Sequence, residues 1–311
     1  MACMSAKWRT RVLMQAQYAW KDVFYTPERV VLQSMNIAIP KRPKGNVPTC
    51  VFVHGGSWQR GDKTAPFNNG IEETFAKAGY LGVSVNYRLS PRVTHPEHTR
   101  DVAKAIHWVH QNIHQVCQLA GLCTMVRLLT MGILHLFQYG GDPERIVVIG
   151  HSSGAHLVMN ALADPQYLTE AGLDAATTRR IVRGVVGVSG VYNIVRLANA
   201  PLYGSMVVSP VFGDAVHAWR EASITAVLTK QGSQSLLLHI PMLLLNAEDD
   251  FHLADDANEL IAWLQHAGSV APTHVSIAGR NHFTILGNLT EQGTKDEAMQ
   301  HVVAFMENCT S

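Results

Sequence analysis

The apolar residues of this chain fall into short runs divided by stretches of helical spacing. Thr49 to Val53, Tyr80 to Tyr87, Ile146 to Ile149, Ile181 to Val188, Leu236 to Leu245 and Thr273 to Ile277 read as strands, most of them buried. Ile71 to Ala78, Thr99 to Ile113, residues 155–162 and Ala254 to Leu264 carry the apolar spacing of helices packed on a sheet. Strand and helix alternate, which predicts an α/β domain. Before the first buried strand, residues 8–24 show a rough helical spacing and Val30 to Pro40 alternates like an edge strand. Lys41 to Asn46 reads as a solvated turn.

Two junctions in this pattern carry chemistry. At the first, the run Ile146–Ile149 passes through Gly150-His151-Ser152-Ser153-Gly154 into the apolar helix that follows. Strand, tight turn and helix around Gly-x-Ser-x-Gly is the context of a nucleophile elbow. The glycines let strand and helix cross closely, Ser152 stands at a strained position, and the Ser153 N–H is expected to face the oxygen attached to the reacting carbon. At the second, Thr49–Val53 runs into His54-Gly55-Gly56-Ser57-Trp58, the form of an oxyanion-hole loop. Acyl transfer builds negative charge on the former carbonyl oxygen, so preorganised N–H donors are needed, and Gly56, Ser57 and Ser153 are the candidates. His54 is expected to brace the loop. Trp58 is either a pocket wall or a packing anchor.

Two further members complete a Ser, Asp, His order. Leu236–Leu245 leads into Glu248-Asp249-Asp250, where a carboxylate can orient a histidine; Asp250 is favoured and Asp249 competes. His282 follows the last strand and suits a general base, because imidazole titrates near neutrality. His274 and His266 are fallbacks. Residues 195–235 are mixed and either cap the pocket or pack as ordinary helices.

Composition narrows the setting. Hydrophobic residues make up 47% of the 311, enough for one large core, and the net charge of +1 gives no bulk attraction to nucleic acid. Cys3, Cys50, Cys117, Cys123 and Cys309 form no Cys-x-x-Cys pair, so neither a metal cluster nor a disulfide framework is expected. The first residues lack the continuous apolar core of a secretory signal, and a cytoplasmic setting is expected. Gln118 to Tyr139 is mostly apolar. A span needs about 20 such residues, but Arg127 near the middle makes one costly. For 118–138 three readings stay open: a packed or lid helix, a membrane-contacting helix giving peripheral association, and a span.

With Ser152, His54-Gly55-Gly56 and His282 in view, the chain resembles an α/β-hydrolase. More narrowly it resembles kynurenine formamidases (arylformamidases) and neighbouring carboxylesterases. That likeness rests on residues 54–58, 150–157, 188–193 and Asn281-His282-Phe283 with Asn288-Leu289-Thr290. It is also similar to isoprenylcysteine methylesterases, through residues 139–146, 187–193 and Leu202-Tyr203. The longer apolar insertion, and Ser153 where Ala is more usual, depart from both patterns. The resemblance implies one domain over 1–311, with a mostly parallel central sheet and helices on both faces. It implies a serine hydrolase acting without metal or cofactor on a small-molecule ester or aryl formamide. The alternatives are a membrane-associated methylesterase and a non-catalytic binding protein on the same fold.

Overall fold

The computed structural model describes residues 18–41, 46–114, 140–287 and 293–311. Its strands are β1 (Tyr18–Phe24), β2 (Ser34–Ile39), β3 (Val47–Val53), β4 (Leu81–Val85), β5 (Gly141–His151), β6 (Val182–Val188), β7 (Met242–Asp249) and β8 (Thr273–Asn281). They form one sheet in the order β1-β2-β4-β3-β5-β6-β7-β8. The β1–β2 and β2–β4 pairs are antiparallel and every other pair is parallel.

Helices cover both faces, and the period-2 alternation of the strands sorts the core between them. Val51, Val53, Ile146, Val148 and Leu244 share one apolar cluster with Val102, Ile106 and Val109 of α2 (Glu97–Asn112) and Leu157, Val158 and Leu162 of α3 (Ser153–Ala163). Cys50, Phe52, Val147, Ile149, Leu243 and Leu245 face the other way. They pack on Ile71 and Phe75 of α1 (Ile71–Lys77) and on Met299, Val302 and Met306 of the C-terminal helix. The helix after β7 spans Leu253–His266 and is labelled α4; the C-terminal helix, Glu297–Thr310, is α5. This is the α/β-hydrolase architecture.

Three expected elements are corrected. Residues 18–24 are a strand, not a helix. A bulge between Trp20 and Val23, with Asp22 at φ 56°, breaks the alternation and leaves an apolar spacing that imitates a helix. β2 is not an edge strand, because β1 covers it. Its alternating polar residues are buried and bonded, Ser34 Oγ to the Val31 carbonyl and Asn36 Nδ2 to Glu72 on α1. The apolar run from Leu236 is not one strand. A 3-10 turn takes Leu236–Leu238, and the strand starts at Met242, after Pro241, which cannot donate to a ladder. The part of the first expected helix before residue 18 and the insertion at 118–138 lie outside the described residues. Among the described residues, no helix is long and apolar enough to cross a membrane.

Candidate active site

The carboxyl ends of β3, β5, β6 and β7 and the loop after β8 meet at one edge of the sheet, where open α/β sheets form their ligand crevices. Ser152 lies between β5 and α3 with φ 52° and ψ −120°, a conformation rarely adopted by a residue with a side chain. The surroundings impose it. The Ser152 N–H donates to the Val188 carbonyl at 2.9 Å and its carbonyl accepts from Ala155 N–H at 3.1 Å. A Cβ on Gly154 would stand 2.3 Å from the Val53 carbonyl oxygen, so only glycine lets α3 start against β3. A Cβ on Gly55 would stand 2.9 Å from Ser152 Cβ, so the two loops touch where the serine emerges.

The structure brings Ser152, His282 and Asp250 together. Ser152 Oγ is 3.0 Å from His282 Nε2, and His282 Nδ1 is 2.6 Å from Asp250 Oδ1. All three are buried. Asp249 is not in this chain. Its side chain is exposed, but its backbone carbonyl accepts from the His282 N–H at 3.0 Å. The His282 carbonyl in turn accepts from His151 Nε2 at 3.0 Å, so both backbone groups of His282 are tied down. An Asx turn follows, in which Asn281 Oδ1 accepts from Phe283 and Thr284 N–H at 3.1 and 2.9 Å. His151 is fully buried, and burial lowers its pKa to about 3, so it is a neutral donor to that carbonyl.

The loop after β3 has positive φ at Gly56, Ser57 and Trp58 (125°, 54° and 58°). The Gly56 carbonyl holds this turn by accepting from Gln59 and Arg60 N–H at 3.1 and 3.0 Å. Gln59 Nε2 anchors it to the carbonyls of Met206 and Val207. Gly56, Ser57 and Ser153 all line the cavity beside Ser152. His54 is buried and stacked on Tyr87 at 4.5 Å, with Nδ1 2.7 Å from the Gly55 carbonyl; burial lowers its pKa to about 4. Trp58 has both sequence-predicted roles, since it is fully buried against Phe212 and His156 and also lines the cavity. His274 lies within β8, away from Ser152, with Nε2 3.0 Å from Asn246 Oδ1.

The cavity has a volume of about 820 Å³. Its lining from the 195–235 segment includes Leu197, Leu202, Tyr203, Met206 and Val207. On the His282 side it carries Phe251 and Phe283, with ring centroids 5.2 and 5.3 Å from the imidazole, and Phe67, 5.7 Å from Phe283. These three phenyl rings are about half exposed. The β6–α4 corner is fixed by Asp256, whose Oδ2 accepts from the Tyr192 and Asn193 N–H at 2.8 Å each and which also pairs with Arg196. Among the described residues, no group of three or more His, Cys, Asp or Glu converges as metal ligands would.

Several known esterases are similar to this chain. A family model described as BD-FAE matches residues 35–117, which contain the β3 loop. A probable carboxylic ester hydrolase, LipM of Mycobacterium tuberculosis, is 29% identical over 204 residues, 63% of this chain and 41% of that protein. The isoprenylcysteine alpha-carbonyl methylesterase of Arabidopsis thaliana is 25% identical over 277 residues, 88% of this chain and 58% of that protein. The chain is thus similar to esterases of the α/β-hydrolase fold. Among solved structures, a truncated carbohydrate esterase from gut microbiota superposes with a TM-score of 0.69 at 18% identity, covering 95% of this chain and 97% of that one. An inhibited esterase B from Lactobacillus rhamnosis gives 0.67 at 16% identity, covering 99% and 96%. These two likenesses concern the fold. The chain spans about half the length of several curated relatives, from 41% to 59% of the first three.

Sequence reasoning missed His151, Asn246 and the Phe67, Phe251 and Phe283 lip. His151 occupies the first variable place of Gly-x-Ser-x-Gly, so its position was visible, but its bond to the residue-282 carbonyl spans 131 residues.

Proposed function

We propose that this chain is a serine esterase in which Ser152 is the nucleophile, His282 the general base and Asp250 its orienting carboxylate. The observation that carries the reading is the pair of contacts on one imidazole, Ser152 Oγ at 3.0 Å and Asp250 Oδ1 at 2.6 Å, at the wall of a cavity of about 820 Å³. Ser152 Oγ bonds to the ester carbonyl carbon as its proton passes to His282 Nε2. The carbonyl π pair moves to oxygen, and that charge lies toward the N–H groups of Gly56, Ser57 and Ser153. When the pair returns, the bond to the leaving oxygen breaks and His282 delivers its proton there. Water then repeats the cycle on the acyl-Ser152 ester, giving a carboxylic acid and free serine. Asp250 keeps the Nδ1–H tautomer and stabilises the imidazolium.

His282 must touch the leaving atom, so the leaving group lies beside Phe251 and Phe283. Apolar or aromatic alcohols suit that lip, and an aryl amine leaving a formyl group suits it as well. A second reading, a methyl ester on a lipidated cysteine, is favoured by relatives so named that align over 88% of the chain. In that case the apolar bulk belongs to the acyl part and the leaving group is methanol.

The test is fluorophosphonate labelling with mapping of the modified residue, run with a side-by-side panel. The panel comprises short p-nitrophenyl esters, an N-formyl aryl amine and a prenylcysteine methyl ester. Labelling at Ser152 and a turnover lost in Ser152→Ala are expected. A folded protein with neither is a binding protein, and the proposal fails.

A further inference from the structure

Behind Asp250 the hydrogen bonds continue. Asp250 Oδ2 accepts from Asn246 Nδ2 at 2.8 Å and from the Ala247 N–H at 3.3 Å. Asn246 Oδ1 is 3.0 Å from His274 Nε2. A buried carboxylate takes only donors, so the amide nitrogen of Asn246 faces Asp250 and its oxygen faces outward. An amide oxygen takes only a donor in turn, so His274 carries its proton on Nε2. Every polar hydrogen along His274, Asn246 and the Asp250 carboxylate therefore points inward. Asn246 is 1% exposed and sits on β7, one diagonal step from His274 on β8, since Leu244 pairs with His274 and Asn246 with Ser276.

We propose that Asn246 and His274 form an outer positioning pair that holds the Asp250 carboxylate on His282. The inference rests on the reading of Asp250 given above and extends it by two residues. Neither touches the reacting atoms. Asn246 fixes the rotation of the carboxylate by occupying one lone-pair direction of Oδ2, which leaves Oδ1 aimed at Nδ1. His274 fixes the amide: without its donor the Asn246 oxygen is left without a protein partner, and the side chain is free to turn away from Asp250. The short 2.6 Å contact at His282 requires a carboxylate that does not rotate, and a lone backbone donor at 3.3 Å holds it weakly.

A double-mutant cycle with the full chain and a p-nitrophenyl ester tests this, with rates normalised to active sites counted by fluorophosphonate labelling. Asn246→Leu, close in shape but without donors, is expected to lower kcat about tenfold and leave KM unchanged, the size of a lost hydrogen bond to a charged group. In an Asp250→Asn background the same change is expected to have almost no further effect, because the carboxylate it positions is gone. His274→Leu should lower kcat in the same direction, and His274→Gln, which retains a donor, should recover most of it. Since His274 is half-buried, this pair tests the idea even if Asn246→Leu does not fold. Full additivity in the cycle overturns the proposal. So does a lower melting temperature with unchanged kcat per active site in both Asn246→Leu and His274→Leu. A wild-type rate no higher than that of Ser152→Ala overturns the esterase reading and this pair together. Ser152-dependent turnover that ignores both outer residues overturns the pair alone.

Discussion

Acid should unfold this protein well before it protonates ordinary carboxylates, because five imidazoles are buried in neutral form. Burial lowers the pKa of His54, His98 and His156 to about 4 each, of His151 to about 3, and of His95 well below the ordinary imidazole value. Their one-sided bonding agrees: His156 Nε2 bonds the Ala222 carbonyl and His98 Nε2 the Ser90 hydroxyl, while both Nδ1 atoms are buried without a protein partner. Above the unfolded pKa of about 6.5 both states are neutral and the rings contribute nothing that depends on pH. As pH falls from there toward 4 the unfolded chain takes up protons that the folded chain refuses, so stability falls. At pH 5 each ring withdraws about 2 kcal/mol, and the five together about 10 kcal/mol, against a typical total of roughly 5–15 kcal/mol. Glu72 and Asp256 work the other way. Burial raises their pKa, so the folded state gains their protons first and offsets part of the loss. Asp62 and Glu97, held low by their partners, lose their contribution only at lower pH, nearer the ordinary carboxylate range. The assay is urea unfolding followed by circular dichroism at several values between about pH 7.5 and about pH 5, the window set by these shifts. The midpoint should fall steadily below about pH 6.5. His156→Gln, which retains a donor for Ala222, should reduce the acid loss by about a fifth, one ring in five. A midpoint that is flat across the window refutes the reasoning.

Other substitutions probe the site. Asp250→Asn should lower kcat by about 10⁴-fold, as losing the orienting carboxylate leaves the wrong tautomer, whereas Asp249→Asn should stay within about threefold, since only its backbone meets His282; steady-state kinetics on one ester separates the two. Gly154→Ala should cost several kcal/mol and abolish labelling of Ser152, because its Cβ would meet the Val53 carbonyl oxygen at 2.3 Å; thermal melts and labelling read it. Phe283→Ala and Phe251→Ala should reduce kcat/KM for a benzyl ester relative to the ethyl ester of the same acid by about tenfold, the worth of an apolar contact of that size. An unchanged ratio would move the leaving group away from this lip.

What could be read from the chain, and what could not, divides by the length of the contact involved. The elbow and the β3 loop are legible because their constraints act within a few residues. Gly150, Gly154, Gly55 and Gly56 are required by close approach or by backbone conformation, and they sit beside the side chains they serve. The order Ser152, Asp250, His282 is legible because each follows a strand, and parallel strands deliver their ends to one edge. The β1 bulge was not legible. Inserting Lys21 and Asp22 between Trp20 and Val23 changes the apolar period from that of a strand to something close to that of a helix. Partnered polar residues disguised the interior place of β2, since Asn36 looks solvated until Glu72 is placed beside it.

The residues that orient the site were hidden for a further reason. His151, Asn246 and His274 have no local signature, because each is chosen by a partner that only strand order and register supply. His274 illustrates it. As a histidine late in the chain it competes with His282 for the role of base, and its residue type cannot separate them. Register does: pairing of His274 with Leu244 puts the imidazole one diagonal step from Asn246, whose amide bonds Asp250. The same histidine is thereby removed from the serine and placed behind the carboxylate. Its chemistry follows from geometry, since against an amide oxygen an imidazole must donate, and a ring committed to donating there holds a partner in place rather than accepting a proton from Ser152.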